Sequence, residues 1–260
     1  VVSSGSGAGW RRTLPRHGGG TAEVAFTERS QGDFAVDAEP GGLAARRRAV
    51  ADRPWVWLRQ VHGAEVVVVP DDGTPPAEAA ARWSGAEADA LVTARTDVAL
   101  AVQTADCAPV ALLSPDGAVA AVHAGWRGLE AGVVQAAAAA AEALGATRLE
   151  AVLGPCIHPA DYAFGPDELD RLADRFGPAV RARTRDGRPA LDVPAAVDAA
   201  LAEAGLGPAE RIGVCTAATP ERAHSHRARG DRGRQAAVVL LRTGSGAPDG
   251  SGLHGGTGPR

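Results

Sequence analysis

Short apolar runs, most of them closed by Gly, Pro or Asp, recur along the chain and indicate a fold class before any single residue is weighed. Runs at 55–58, 65–69, 90–93, 98–102, 110–113 and 119–123 read as β-strands, and 150–153, 212–215 and 236–241 continue the series. Helical patterns are fewer and come later. The Ala-rich stretch 129–144 stops at Gly145, a residue suited to a helix end. The stretch 166–176 opens on Pro166 and carries Leu169, Leu172 and Phe176 at helical spacing, and 194–204 runs from Pro194 to a stop at Gly205. The early half therefore reads as nearly all strand. Strict alternation of strand and helix is absent, so a simple doubly wound sheet is not favoured, and one α+β domain with mixed sheets fits best. Segments 1–20 and 243–260 are rich in Gly with no periodicity and are expected to be disordered, leaving 21–242 as a single catalytic domain.

Composition narrows the function classes. No run of eighteen uncharged apolar residues exists, so no membrane span is expected. The N-terminal twenty residues lack the apolar core of a secretory signal, which makes a cytoplasmic location the default expectation. A net charge of -4 gives no electrostatic reason to expect nucleic acid as partner. Every basic residue is Arg and Met is absent, as in proteins from GC-rich genomes, so Arg here also fills the surface role that Lys fills elsewhere. The cysteines Cys107, Cys156 and Cys215 are too few and too far apart for a disulfide framework, and a small buried hydrophobe is the ordinary role for each.

Three segments place a metal-capable side chain beside glycine or at a strand end: 58–63 with His62, 103–109 with Cys107, and 122–128 with His123. Two imidazoles and a thiolate suit zinc, and three protein ligands leave a position open for water or substrate. Long spacings carry little specificity, and separate structural roles for the three residues stay open at this point. The third segment is a strand–turn–helix junction whose Gly125 and Gly128 let a ligand approach the backbone. Arg127 at that helix start can clamp a phosphate, or simply face solvent. Arg227, one of five Arg between 222 and 234, can gather at an anionic substrate or belong to a solvated basic turn. Asp106 is a candidate general acid or base, with a strand-end cap as its structural alternative.

Taken together, QVHG (60–63), TADC followed by Pro109, HAGWRG (123–128), GPCI (154–157) and the late CT…SHR…GRQ resemble the YfiH/YlmD-type family, also called DUF152 or laccase-domain proteins and now described as purine nucleoside phosphorylases. The resemblance spans about residues 23–242. It implies a four-layer α/β/β/α fold related to Cys–His toxin-type hydrolase domains. It also implies a Zn²⁺ site made by His62, Cys107 and His123, with Gln60 of QVHG, Arg127 and Arg227 as candidates for substrate and phosphate. The implied activity is phosphorolysis of adenosine, inosine and methylthioadenosine, with adenosine deamination beside it; separately from the resemblance, a monomer is expected. Many members carry Tyr where this chain has His226, and a longer Asn-bearing segment after the first strand.

Other readings remain beside this one. Cys107 and His123 can form a metal-free hydrolase pair, for instance one editing peptidoglycan precursors. Copper can bind the same ligands, as the older polyphenol-oxidase name suggests, but a multicopper laccase needs more histidines than the seven present. A non-enzymatic protein stabilised by zinc is the last alternative.

Overall fold

The computed structural model describes residues 3–5 and 9–244. Two mixed sheets carry the fold. The first orders seven strands as Ser3–Gly5, Gly9–Pro15, Thr21–Phe26, Gln235–Arg242, Ala99–Thr104, Trp55–Arg59 and Ala86–Glu87. The second orders six as Glu210–Arg211, Glu150–Leu153, Ala108–Leu113, Val119–Ala124, Ala90–Thr93 and Val66–Val69. Pairing is antiparallel through the middle of the second sheet and parallel at its two edges.

Period-two alternation sorts the side chains into three apolar clusters. Val24, Phe26, Leu100, Val102 and Val239 of the first sheet meet Leu91, Ala111, Leu113, Val119 and Ala121 of the second. The other face of the first sheet, with Ala99, Ala101 and Val238, packs on Leu43 and Val50 of the helix Pro40–Val50. The other face of the second sheet, with Val110, Leu112, Ala120 and Val122, packs on helices Val133–Ala143, Pro166–Phe176 and Val193–Glu203. Strands buried on both faces have no polar face to show, which is why they read as unbroken apolar runs. Among the described residues, no helix is long and apolar enough to cross a membrane.

The strands at Ala90–Thr93 and Glu150–Leu153 and the helix Pro166–Phe176 lie where the sequence pattern places them. Four expectations need correction. Gly9–Pro15 is a strand inside the segment expected to be disordered. Trp10 is buried, Leu14 packs on the core between the sheets, and Arg12 reaches Glu150 and Glu210 of the other sheet. Of the two expected disordered ends, residues 1–2, 6–8 and 245–260 lie outside the described residues. The helix expected over 129–144 is two helices, Trp126–Ala131 and Val133–Ala143, parted by Gly132 at φ +94°. The strand expected over 212–215 is interrupted by Gly213 at φ +75°, leaving Glu210–Arg211 and a single bridge between Cys215 and Cys156. The early half also holds two helices, Pro40–Val50 and Pro76–Trp83, each opened by proline in its first turn.

Alternation positions the site as well. Val119 and Ala121 face the core between the sheets, so His123 leaves its strand on that same face. Asp89 shares the parity of Leu91 and meets it there.

Candidate metal centre

His62, Cys107 and His123 converge, with one ligand atom from each lying within 4.8 Å of the others. Cys107 Sγ is 3.8 Å from His62 Nε2, and the two imidazole rings meet edge to face with centroids 4.8 Å apart. A tetrahedral zinc with bonds of about 2.0 to 2.3 Å sets its ligand atoms about 3.5 Å apart, so little movement separates this arrangement from a closed site. The trio can hold a metal ion.

Two backbone distortions bring the ligands together. Among the described residues, His62 (φ +62°) and Asp106 (φ +106°) are the two non-glycine positions with positive φ. One is a ligand and the other precedes one. Such positions cost about 1–3 kcal/mol each and persist only where surrounding contacts enforce them.

The enforcing contacts around His62 come from Asp89, which is fully buried. Its Oδ2 accepts from the amides of Val61 (3.2 Å) and Gly63 (2.7 Å), and its Oδ1 from the amide of His62 (2.9 Å). The same Oδ1 lies 2.7 Å from His123 Nδ1. One carboxylate therefore orients two of the three candidate ligands and, by engaging Nδ1, leaves Nε2 of His123 available to hold a metal ion. Burial pushes the Asp89 carboxyl up, but the His123 ring and the Gly63 and His62 amides outweigh it and hold the group below its usual range.

Gly125 supplies the third constraint. A Cβ on it would lie 2.8 Å from His62 Cδ2 and 3.3 Å from Cys107 Sγ, so a side chain there meets both ligands.

Electrostatics couple Cys107 and His123 in the metal-free protein. Burial raises the thiol, but the charge and hydrogen bonding of His123, with His62 beside it, bring Cys107 down to about 6. Burial lowers the imidazole, yet Cys107 and Asp89 hold His123 up at about 9. A thiolate beside an imidazolium is the result. Cys156 and Cys215 are buried and both thiols are pushed up, chiefly by burial, so they remain small apolar residues.

The other candidates fall into two groups. Gln60 pairs with the backbone of Gln103, its Nε2 donating to the carbonyl (2.7 Å) and its Oε1 accepting from the amide (2.8 Å). That closes the end of a strand pair and leaves the amide committed. Asp106 accepts from the Thr216 hydroxyl (2.6 Å), the Ser225 hydroxyl (2.7 Å) and the Arg227 amide (2.6 Å). Arg127 and Arg227 are exposed and lie over aromatic rings, Arg127 over Trp126 at 4.3 Å and Arg227 over Tyr162 at 4.9 Å. His226 is exposed and opens the short helix His226–Arg229. A cleft of about 410 Å³ is lined by Arg227 together with Asp161, Thr184, Arg185, Asp186 and Arg188. None of the three ligands lines it.

Sequence reasoning missed Asp89, Gly125 as a contact point, and the Thr216–Ser225 pair. Asp89 carried a faint signal, a carboxylate set directly before a wholly buried strand. The hydroxyls carried none, because their partner lies more than a hundred residues away.

Residues 16–242 match the family model described as multi-copper polyphenol oxidoreductase laccase. The chain belongs to that family. Within this laccase-domain family, a purine nucleoside phosphorylase of Streptomyces coelicolor is 39% identical over 86% of this chain and 92% of its own length. A purine nucleoside phosphorylase of Corynebacterium glutamicum is 34% identical over 89% of this chain and 94% of its own. The crystal structure of a DUF152 protein from Neisseria meningitidis superposes with a TM-score of 0.73 at 27% identity, covering 89% of this chain and 99% of that one. YlmD from Geobacillus stearothermophilus gives 0.76 at 24% identity over 93% and 99%, a likeness of fold.

Proposed function

We propose that this protein is a zinc-dependent purine nucleoside phosphorylase. The observation that carries the reading is the convergence of His62, Cys107 and His123 on one point, in a chain whose relatives bear that name. Two imidazoles and a thiolate are a fitting donor set for zinc, which supplies Lewis acidity when bound. Asp89 fixes the ring of His123 and the backbone of the His62 loop. Arg127 and Arg227 are the groups best placed to hold phosphate. In phosphorolysis a phosphate oxygen bonds to C1′ of the ribose as the bond to the purine nitrogen breaks. The purine leaves with that electron pair, and the proton lost by phosphate ends on the base. For Asp106, three hydrogen bonds to neutral donors favour a positioning role over proton transfer. Adenosine deamination is a second activity to test at the same site. The three apolar clusters support an α/β/β/α layer order, with a kinship to Cys–His hydrolase domains as a further expectation.

The test is chromatography of inosine and adenosine incubated with zinc-loaded protein, with and without phosphate. Phosphate-dependent release of hypoxanthine and adenine is the expected result, and inosine formed from adenosine adds deamination. No turnover of either nucleoside overturns the reading.

One observation favours a second reading, a metal-free hydrolase. Asp89, His123 and Cys107 form a carboxylate–imidazole–thiolate line, the arrangement of an activated cysteine nucleophile. Metal analysis of protein purified without chelator separates the two: about one zinc per chain supports the first, and a metal-free, active protein the second. A multicopper oxidase is disfavoured, because among the described residues a single trio can hold a metal ion.

A further inference from the structure

Aromatic residues are scarce in this chain, with five Trp, four Phe and one Tyr among 260 residues. Three of them meet beside the metal centre. Trp126 and Phe164 contact edge to face with centroids 5.4 Å apart, and Phe164 meets Tyr162 at 5.3 Å. A guanidinium closes each end of this ladder, Arg127 over Trp126 and Arg227 over Tyr162. Neither guanidinium pairs with a carboxylate among the described residues.

The ladder is tied to the ligands at both ends. Trp126 directly follows Gly125, on which a Cβ would lie against both His62 and Cys107. At the other end, the amide of Ile157 donates to the Asp106 carbonyl (2.9 Å) and the amide of Arg227 to the Asp106 carboxylate (2.6 Å), next to Cys107. Burial raises the Tyr162 phenol, and Arg227, Cys107 and Asp106 all act on it, in keeping with a place at the same site.

Tyr162 is buried in the core under the second sheet, and Trp126 and Phe164 pack against that core. Trp126 and Phe164 nonetheless keep part of their surface open to solvent, unlike Phe26 and Phe34 at 2% and 1% exposed. Val61, beside His62, is 47% exposed and adds apolar surface at the same mouth. Open ring surface with an uncompensated cation at each end suits a ligand that is flat and heteroaromatic in one part and anionic in another.

We infer that Trp126 and Phe164, backed by the buried Tyr162, form the wall against which the purine ring of the substrate lies, with the phosphate at the Arg227 end as in the reading above. This rests on the nucleoside phosphorylase reading and names the residues that would set its substrate class.

The experiment uses the metal-loaded full-length protein and its Phe164→Leu, Trp126→Leu and Arg227→Gln variants, with melting temperatures measured first. Leucine keeps apolar bulk and removes the ring. Phosphorolysis is measured while inosine and phosphate are varied separately, and inosine binding is followed by calorimetry. Either leucine variant should raise KM for inosine about tenfold and leave KM for phosphate unchanged. Arg227→Gln should do the reverse, by about tenfold for phosphate. Folded leucine variants with the parental KM for inosine overturn the wall. If the parent binds inosine without turning it over, the phosphorylase reading falls, and weakened binding in Phe164→Leu still supports the wall. If the parent neither binds nor turns over inosine, both fall.

Discussion

Asp89 and Asp106 are buried carboxylates beside the same candidate metal site, and each gathers hydrogen bonds from several segments, yet they stand differently to the chemistry. Asp89 bonds three consecutive amides around His62 and the ring of His123. Asp106 bonds two hydroxyls and the Arg227 amide. The first touches a group that titrates and is a candidate metal ligand, so its charge passes into the site. The second touches only neutral donors, so its influence is confined to where the Ser225–Arg227 turn lies relative to Cys107. The same residue type, buried in both places, acts on the charge of a candidate ligand in one and on loop position in the other.

The largest effect is expected from Asp89→Asn, which weakens the hold on both histidines at once. Metal affinity should fall about 10–100-fold, read by competition with a chelating dye, and stability by about 3 kcal/mol in urea. An unchanged metal affinity would place Asp89 on the same footing as Asp106.

Gly125→Ala crowds His62 and Cys107 without touching any charge. A loss of metal affinity of about tenfold is expected, with the fold retained. Equal metal binding would show that the His62 loop yields to the added methyl.

The metal-stripped protein offers a pH test. Cys107 is held as thiolate above about 6 and His123 as imidazolium below about 9, so the pair persists between those values. Iodoacetamide should therefore modify Cys107 with a midpoint near 6 and spare buried Cys156. In Asp89→Asn the imidazolium loses support and the midpoint should rise, whereas Asp106→Asn should leave it in place. A midpoint that moves equally in both variants would erase the distinction drawn between them.

Asp106→Asn should have the smallest effect. Stability should fall by about 1–2 kcal/mol as one acceptor is lost to donors that can partly re-pair. Metal content should not change, and KM for phosphate should rise through displacement of Arg227. Loss of the metal in this variant would show that the Asp106 strain, and not only Asp89, holds the ligand set together.

Local pattern was enough for the parts that repeat. Buried strands such as Ala90–Thr93 and Glu150–Leu153 announce themselves as apolar runs, and Pro166–Phe176 carries its proline start and its helical spacing within a few residues. The candidate ligands were legible as metal-capable residue types, but it was their place in the family-like motifs QVHG, TADC and HAGWRG, not their spacing, that singled them out. Thr21–Phe26 escaped because its polar Thr21 and Glu23 break the apolar run. The break at Gly132 escaped because one glycine inside a helical pattern is tolerated as readily as it breaks one, and only the structure shows it at φ +94°.

Long-range contact decided the rest. Nothing near Asp89 in the chain names His123, and nothing near Asp106 names Thr216 or Ser225. The strand Gly9–Pro15 exists because Thr21–Phe26 offers it an edge and the second sheet offers carboxylates to Arg12. Residue chemistry and short-range periodicity are properties of neighbours along the chain. Which carboxylate orients which imidazole, and which rings meet at the mouth of the site, depends on how two sheets pack face to face, and that is settled only when distant segments are brought together.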